Sequence, residues 1–302
     1  MPKRVAKAAF AEPKNPLAEV FGFKVSDKSE RSLHFQNNRL CPFNNIVPSC
    51  TKVSVVDPLG VCSLHERDEP TIICPVRFKE DWMIATHAAE FFFSGRREWT
   101  AMPEVRLKDR NGKSAGNIDL VLVEHDREGR VTDFGAVEIQ AVYISGNVRR
   151  PFRAYVEDLT QTTFDWSGRR EYPRPDYLSS SRKRLAPQLI YKGGILKAWN
   201  KKTAVVIDRK FFATLPRLEE VSRASADMAW LVYDLEKRPK SASYHLTPHT
   251  TVYTEFGPAL DTITKTEAGS VNDFIKTLEK KLKKLKKGES VADTSPDDAV
   301  IE

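Results

Sequence analysis

Cysteine is absent from most of this 302-residue chain. Its four occurrences, Cys41, Cys50, Cys62 and Cys74, fall in one short stretch, and no two stand in a CxxC spacing. Disulfides are not expected in a reducing compartment. No run of about 18 apolar residues occurs, so neither a transmembrane helix nor a membrane partner is expected. The N-terminal MPKRVAKAAFAEPKNP is basic but lacks the sustained apolar core of a signal peptide, and a cytoplasmic location is expected. There is no internal repeat and no heptad run to mark a coiled-coil interface. Nor does one sign of charge dominate: 48 Lys and Arg stand against 41 Asp and Glu, a net charge of +7. That mildly basic balance is compatible with a polyanionic partner. The hydrophobic content of 40% supports a real core.

Residues 1 to about 30 show little periodicity. Residues 31–78 are short segments broken by Pro42, Pro48, Pro58, Gly60, Pro70 and Pro75. Phe78 to Gly95 has the apolar spacing of a helix, with Gly95 as a stop. Glu104 to Gly146 reads as three strands separated by turns at Asn111-Gly112 and Glu124 to Arg130. Two helices are expected next, FRAYVEDLTQTTFDW and SSSRKRLAPQLIYKGGILKAW, the second interrupted near Pro187 or Gly193-Gly194. Further strands are expected at Thr203–Asp208, Met228–Glu236 and His249–Phe256. A last helix opens at a Ser cap, with Phe274, Leu278, Leu282 and Leu285 on one stripe that should pack somewhere, and ends at Gly288. This order predicts an α/β (α+β) protein with a mixed β-sheet flanked by helices. The expected divisions are a small N-terminal four-cysteine metal-binding module (1–78), a catalytic and DNA-binding domain (79–288) and a disordered acidic tail (289–302).

DFGAVEIQAVYISG, Asp133 to Gly146, carries the main chemical signal. It is an apolar strand in which Glu138 and Gln140 stand two apart, so both side chains leave the same face. The preceding strand, NIDLVLV, holds Asp119 between Ile118 and Leu120. A lone strand carboxylate usually faces solvent. A charge at the centre of an apolar strand is costly unless paired, hydrated or metal-bound. Antiparallel pairing across the Glu124 to Arg130 turn would put Asp119 and Glu138 side by side. With the Ile139 carbonyl they could hold Mg²⁺, which takes oxygen ligands. Such a site can split a phosphodiester by activating water and neutralising charge on the phosphate. Gln140 would touch the attacking water or a phosphate oxygen, since an amide does not titrate usefully.

The cysteines invite a second reading. Free Cys often packs as a small hydrophobe, but confinement to one Pro-broken module with little core suggests a staple. Four thiolates around one ion supply one. Tetrahedral sulfur suits zinc or iron, and four protein ligands would make the site structural.

PLGVCSL (Pro58 to Leu64) with its flanking cysteines, GNIDLVLV and VEIQAVYISGN together resemble the NotI family of type II restriction endonucleases, within the PD-(D/E)XK nuclease superfamily. The recognisable motifs span roughly residues 35–165. The resemblance implies that Asp119 and Glu138 bind the metal and that Gln140 takes the place usually held by Lys. It also implies that Glu104 is an additional acid, for which Glu90 on the preceding helix is a rival. It favours iron over zinc at Cys41, Cys50, Cys62 and Cys74. The implied function is Mg²⁺-dependent cleavage of double-stranded DNA at a GC-rich palindrome with a GGCC centre, in a restriction-modification system. A palindromic target implies a homodimer. Basic clusters at Arg149-Arg150 with Arg153, Arg169-Arg170 and Arg182-Lys183-Arg184 would serve phosphates and guanines. Two other readings remain at this level. One is a non-catalytic, metal-stapled DNA-binding protein, which leaves Asp119 and Glu138 unexplained. The other is a repair or recombination nuclease of the same fold.

Overall fold

The computed structural model describes residues 12–95, 98–158, 165–238 and 243–286. The acidic segment 289–302 lies outside the described residues. By contacts the chain divides into Met1–Ile263 and Thr264–Glu302.

The first unit opens with a feature that the sequence pattern did not predict. Residues 17–24, inside the stretch expected to be loose, form two short strands, β1 (Leu17–Val20) and β2 (Phe23–Lys24), both buried. Helix α1 (Glu30–Asn37) follows, capped by the Ser29 hydroxyl accepting from Ser32 N–H. Strands β3 (Val61–Glu66) and β4 (Glu69–Ile72) complete a four-stranded sheet in the order β2-β1-β3-β4. Leu17, Val20, Val61 and Leu64 of this sheet share one buried cluster with Val205, Trp230 and Phe152 from far along the chain. The cysteine-bearing segment therefore sits within the first unit, and no boundary falls at residue 78.

A 3₁₀ segment (Pro75–Trp82) then leads into α2 (Met83–Phe92). Glu80, Asp81 and Trp82 are non-helical, so the helix expected from Phe78 begins at Met83. Strands β5 (Trp99–Lys108), β6 (Ser114–His125) and β7 (Val131–Gln140) form an antiparallel meander. β8 (Tyr143–Ser145), α3 (Arg149–Glu157) and β9 (Arg174–Asp176) follow, with β8 and β9 paired apart from the main sheet.

Residues 177–198 run as one continuous right-handed stretch rather than an interrupted helix. It is built from α4 (Tyr177–Ser179), a π segment (Ser180–Leu185), α5 (Ala186–Gln188), a second π segment (Leu189–Gly193) and α6 (Gly194–Ala198). Proline removes an intrahelical donor and crowds the turn before it. The wider π turn ahead of Pro187 absorbs that defect. Gly193 is needed for space: a Cβ there would lie 2.4 Å from the Phe256 ring.

β10 (Thr203–Asp208) is buried along its whole length, as a central parallel strand should be. Helix α7 (Arg209–Phe212), β11 (Met228–Lys237), β12 (Tyr244–Thr254) and α8 (Phe256–Thr264) complete the unit. The six-stranded sheet has the order β12-β11-β10-β7-β6-β5, with β10 parallel to both β7 and β11. The expected mixed sheet flanked by helices is present. One face (Leu120, Leu122, Val137, Ile139, Val206) packs on α2. On the other face Val205 and Ile207 of β10 pack against Leu185 and Leu189 of the 177–198 stretch.

In the second unit, α9 (Val271–Lys286) has no buried residue, and Phe274, Leu278, Leu282 and Leu285 are exposed. No helix among the described residues is long and apolar enough to cross a membrane.

Candidate active site

The meander sets the register that the sequence pattern requires. β6 and β7 pair from Leu120↔Val137 onward, so Asp119 stands opposite Glu138 at the point where the two strands part. Beyond that point the Asp119 side chain replaces the backbone ladder, its Oδ2 accepting from Ile139 N–H at 2.7 Å. Glu138 and Gln140 align with Val205 and Ile207 of β10 and share their face. Glu138 is 2% exposed, and its Oε1 is buried without a hydrogen-bond partner.

Burial raises both carboxyls. Glu138 is pushed up to about 8, by desolvation first and by Asp119 next, against the opposing pull of Lys192. Asp119 is raised by desolvation and by Glu104, opposed by the Ile139 N–H and Lys192. Asp119 makes Glu138 harder to ionise and Glu104 does the same to Asp119, and a cluster of carboxylates of this kind is suited to a cation.

Glu104 is brought to the same place. Pro103 pairs with Leu120 and Val105 with Ile118, which sets Glu104 opposite Asp119 on the outer strand. Its φ of +55° lies in the left-handed region, which costs a non-glycine residue of order 1–3 kcal/mol. Asn117 Nδ2 donates to Glu104 Oε2 at 3.4 Å. Glu90 is not part of this group. It rides on α2, against the opposite face of the sheet, and its charge acts on the Tyr233 hydroxyl.

Gln140 is buried and donates from Nε2 to Gln188 Oε1. Sequence reasoning missed Gln188, and it missed Lys192, whose ammonium donates to Glu138 Oε2 and to the Asn117 carbonyl. Both sit in the 177–198 stretch, and each is of a residue type that usually faces solvent on a helix.

The four thiols line one cavity with Phe21, Phe43, Lys52 and Arg77. Burial pushes Cys41 up to about 11 and raises Cys50 and Cys62 as well. Lys52 donates to the carbonyls of Val61 and Ile73, and its charge is felt by Cys50; Arg77 acts on Cys62. Four thiolates on a divalent ion carry a net charge of −2, and two neighbouring cations suit that donor set. As arranged, no three His, Cys, Asp or Glu among the described residues close around a point to hold an ion, either here or at the carboxylates.

The basic clusters divide into two groups. Arg150 pairs with Glu171 at 2.6 Å, Arg169 stacks over Trp166, and Arg170 lines the same hollow. Arg182, Lys183 and Arg184 lie on the first π segment, all three in its last turn.

A mixed sheet flanked by helices, with the buried Glu138 and the half-buried Asp119 where adjacent strands part, is consistent with a nuclease core. The family model described as restriction endonuclease NotI matches residues 19–246, three quarters of the chain, and the chain belongs to that family. It is a type II site-specific deoxyribonuclease acting on double-stranded DNA. No curated protein matches the chain significantly. Family membership sets aside both the non-catalytic and the repair readings.

Proposed function

We propose that the enzyme hydrolyses phosphodiester bonds with Mg²⁺ held between Asp119 and Glu138, cutting a GC-rich palindrome with a GGCC centre as a homodimer. The observation that carries this reading is the unpartnered Glu138 Oε1, buried beside a second raised carboxyl. A buried acceptor without a donor is costly, and a bound cation would satisfy it. When bound, Mg²⁺ supplies positive charge against the phosphate and makes a water more acidic. Asp119, fixed by the Ile139 N–H, and Glu138, opposite it in register, would supply the carboxylate oxygens. Gln140, held by Gln188, orients its amide toward water or a phosphate oxygen. Glu104 adds negative charge at the rim and assists through a water. The arginines beside α3 and on the first π segment attract the phosphate backbone.

We infer in the same way that Cys41, Cys50, Cys62 and Cys74 hold a structural iron, with zinc as the alternative. Burial raises Cys41, Cys50 and Cys62, and a metal in the cavity would supply the charge that favours their thiolates. Visible absorption and elemental analysis distinguish the two metals.

The test is digestion of a sequenced plasmid with Mg²⁺, followed by reading of the fragment ends. Discrete fragments with ends at one palindrome are expected, together with loss of cleavage but retained DNA binding in Asp119→Ala and Glu138→Ala. Normal cleavage by either variant would overturn the assignment.

A further inference from the structure

The proposed reaction leaves one charged group in the site without a task. Lys192 is 4% exposed, a rare state for lysine unless it is paired. Its ammonium rests on Glu138 Oε2 and, at 2.8 Å, on the Asn117 carbonyl. Its stem passes Gly116, where a Cβ would lie 3.6 Å from Lys192 Cδ. The second π segment, Leu189–Gly193, delivers it there. One residue of an α-helix turns the side chain by roughly 100°. The extra residue in a π turn therefore decides whether position 192 faces the sheet or solvent. Its neighbours Ile190 and Tyr191 are exposed. Gln140 cannot serve in place of Lys192, because it is uncharged and already bonded to Gln188.

Resting on the Mg²⁺ reading above, we propose that Lys192 is the built-in counter-ion of the active site. It pairs with Glu138 in the metal-free enzyme, yields Glu138 when a divalent cation docks, and then turns its ammonium to the scissile phosphate. A compact point charge on a flexible stem suits both positions. No bond is made or broken in the exchange. Positive charge near Glu138 is maintained throughout, and the lysine reaches DNA only after the metal has displaced it.

The experiment pairs Ca²⁺ titration of the full-length protein, by calorimetry without DNA, with cleavage kinetics in Mg²⁺. Lys192→Met keeps the apolar stem and removes the competitor, so it should bind Ca²⁺ about tenfold or more tighter than wild type. Its kcat should fall roughly 100-fold or more with little change in KM, as for loss of a charge-stabilising donor. It should melt lower than wild type without Ca²⁺ and recover when Ca²⁺ is added. Lys192→Arg should keep wild-type Ca²⁺ affinity. Unchanged or weaker Ca²⁺ binding by Lys192→Met, wild-type cleavage, or a lowered melting temperature that Ca²⁺ does not restore would each overturn the proposal. Asp119→Asn separates the two levels of argument. If wild type binds Ca²⁺ through Asp119 and Lys192→Met behaves like wild type, only the lysine's role falls. If wild type binds no Ca²⁺, the metal reading falls and takes this proposal with it.

Discussion

Arg77→Met should cost this protein a large part of its stability, and the reason lies in the contacts around one guanidinium. Arg77 is fully buried. Its Nε donates to Glu19 at 3.1 and 3.2 Å, its Nη1 to Glu80 at 2.6 Å and its Nη2 to the Tyr244 carbonyl at 3.0 Å. Its face covers the Phe43 ring at 4.1 Å. Glu19 is equally buried and otherwise accepts from Ser63 Oγ, at 2.8 Å. One side chain thus joins β1, β12 and the loop that carries Cys41. Methionine fills much of the volume but leaves the Glu19 charge uncompensated. Breaking a buried pair from one side costs about 3–5 kcal/mol, against a total of about 5–15 kcal/mol for a typical domain. Replacing both partners is different, since an apolar pair of similar volume is often neutral. Glu80 keeps the Leu246 N–H at 2.7 Å and remains partly solvated, so it tolerates the loss. Glu19→Leu with Arg77→Met should therefore recover most of the stability lost in Arg77→Met alone. Urea denaturation of wild type, both single variants and the double variant supplies the cycle. A cost under about 1 kcal/mol for Arg77→Met, or a double variant as unstable as the sum of the singles, would refute this reasoning.

Three further outcomes are expected. A Cβ on Gly135 would meet the Phe92 ring at 2.3 Å, so Gly135→Ala should lose about 1–3 kcal/mol by overpacking; an unchanged urea midpoint would show that α2 can shift away. Asp208, 1% exposed, is raised by burial from 3.8 to about 6. The folded state therefore binds the extra proton, and this contribution to stability is present below about pH 4 and lost as pH rises through 6, by up to about 3 kcal/mol. Stability measured at pH 4 and 7 should show Asp208→Asn gaining on wild type at the higher pH, and a pH-independent gap would count against the shift. On the structural-metal proposal, purified protein should carry about one iron or zinc per chain. Chelation should then lower its melting temperature, and Cys62→Ser should do the same without added chelator; metal-free protein of full stability would end that proposal.

The parts of the site readable in the sequence are those fixed by local period. Alternation along NIDLVLV and AVEIQAV placed one carboxylate in each of two apolar strands, and the intervening turn fixed their pairing. The observed register sets Asp119 opposite Glu138 as that argument required. β10 could be read because TAVVID is apolar on both faces. β1 could not, because LAEV carries a glutamate whose burial depends on an arginine 58 residues further on. Local pattern holds no record of such a partner.

The same limit hid Lys192, and its case shows what kind of information is missing. In sequence it is one lysine among many, next to a Gly-Gly pair that reads as a helix end. Its burial depends on the chain not ending there. A proline shortly before it, a glycine that admits the Phe256 ring and two π segments keep the stretch continuous while rotating its faces. The residues that read as helix breakers are those that bring the ammonium onto Glu138. The inference from Gln140 changes accordingly. An uncharged amide at that strand position does not leave the site without a cation, because the cation enters from the helix across the same face of the sheet.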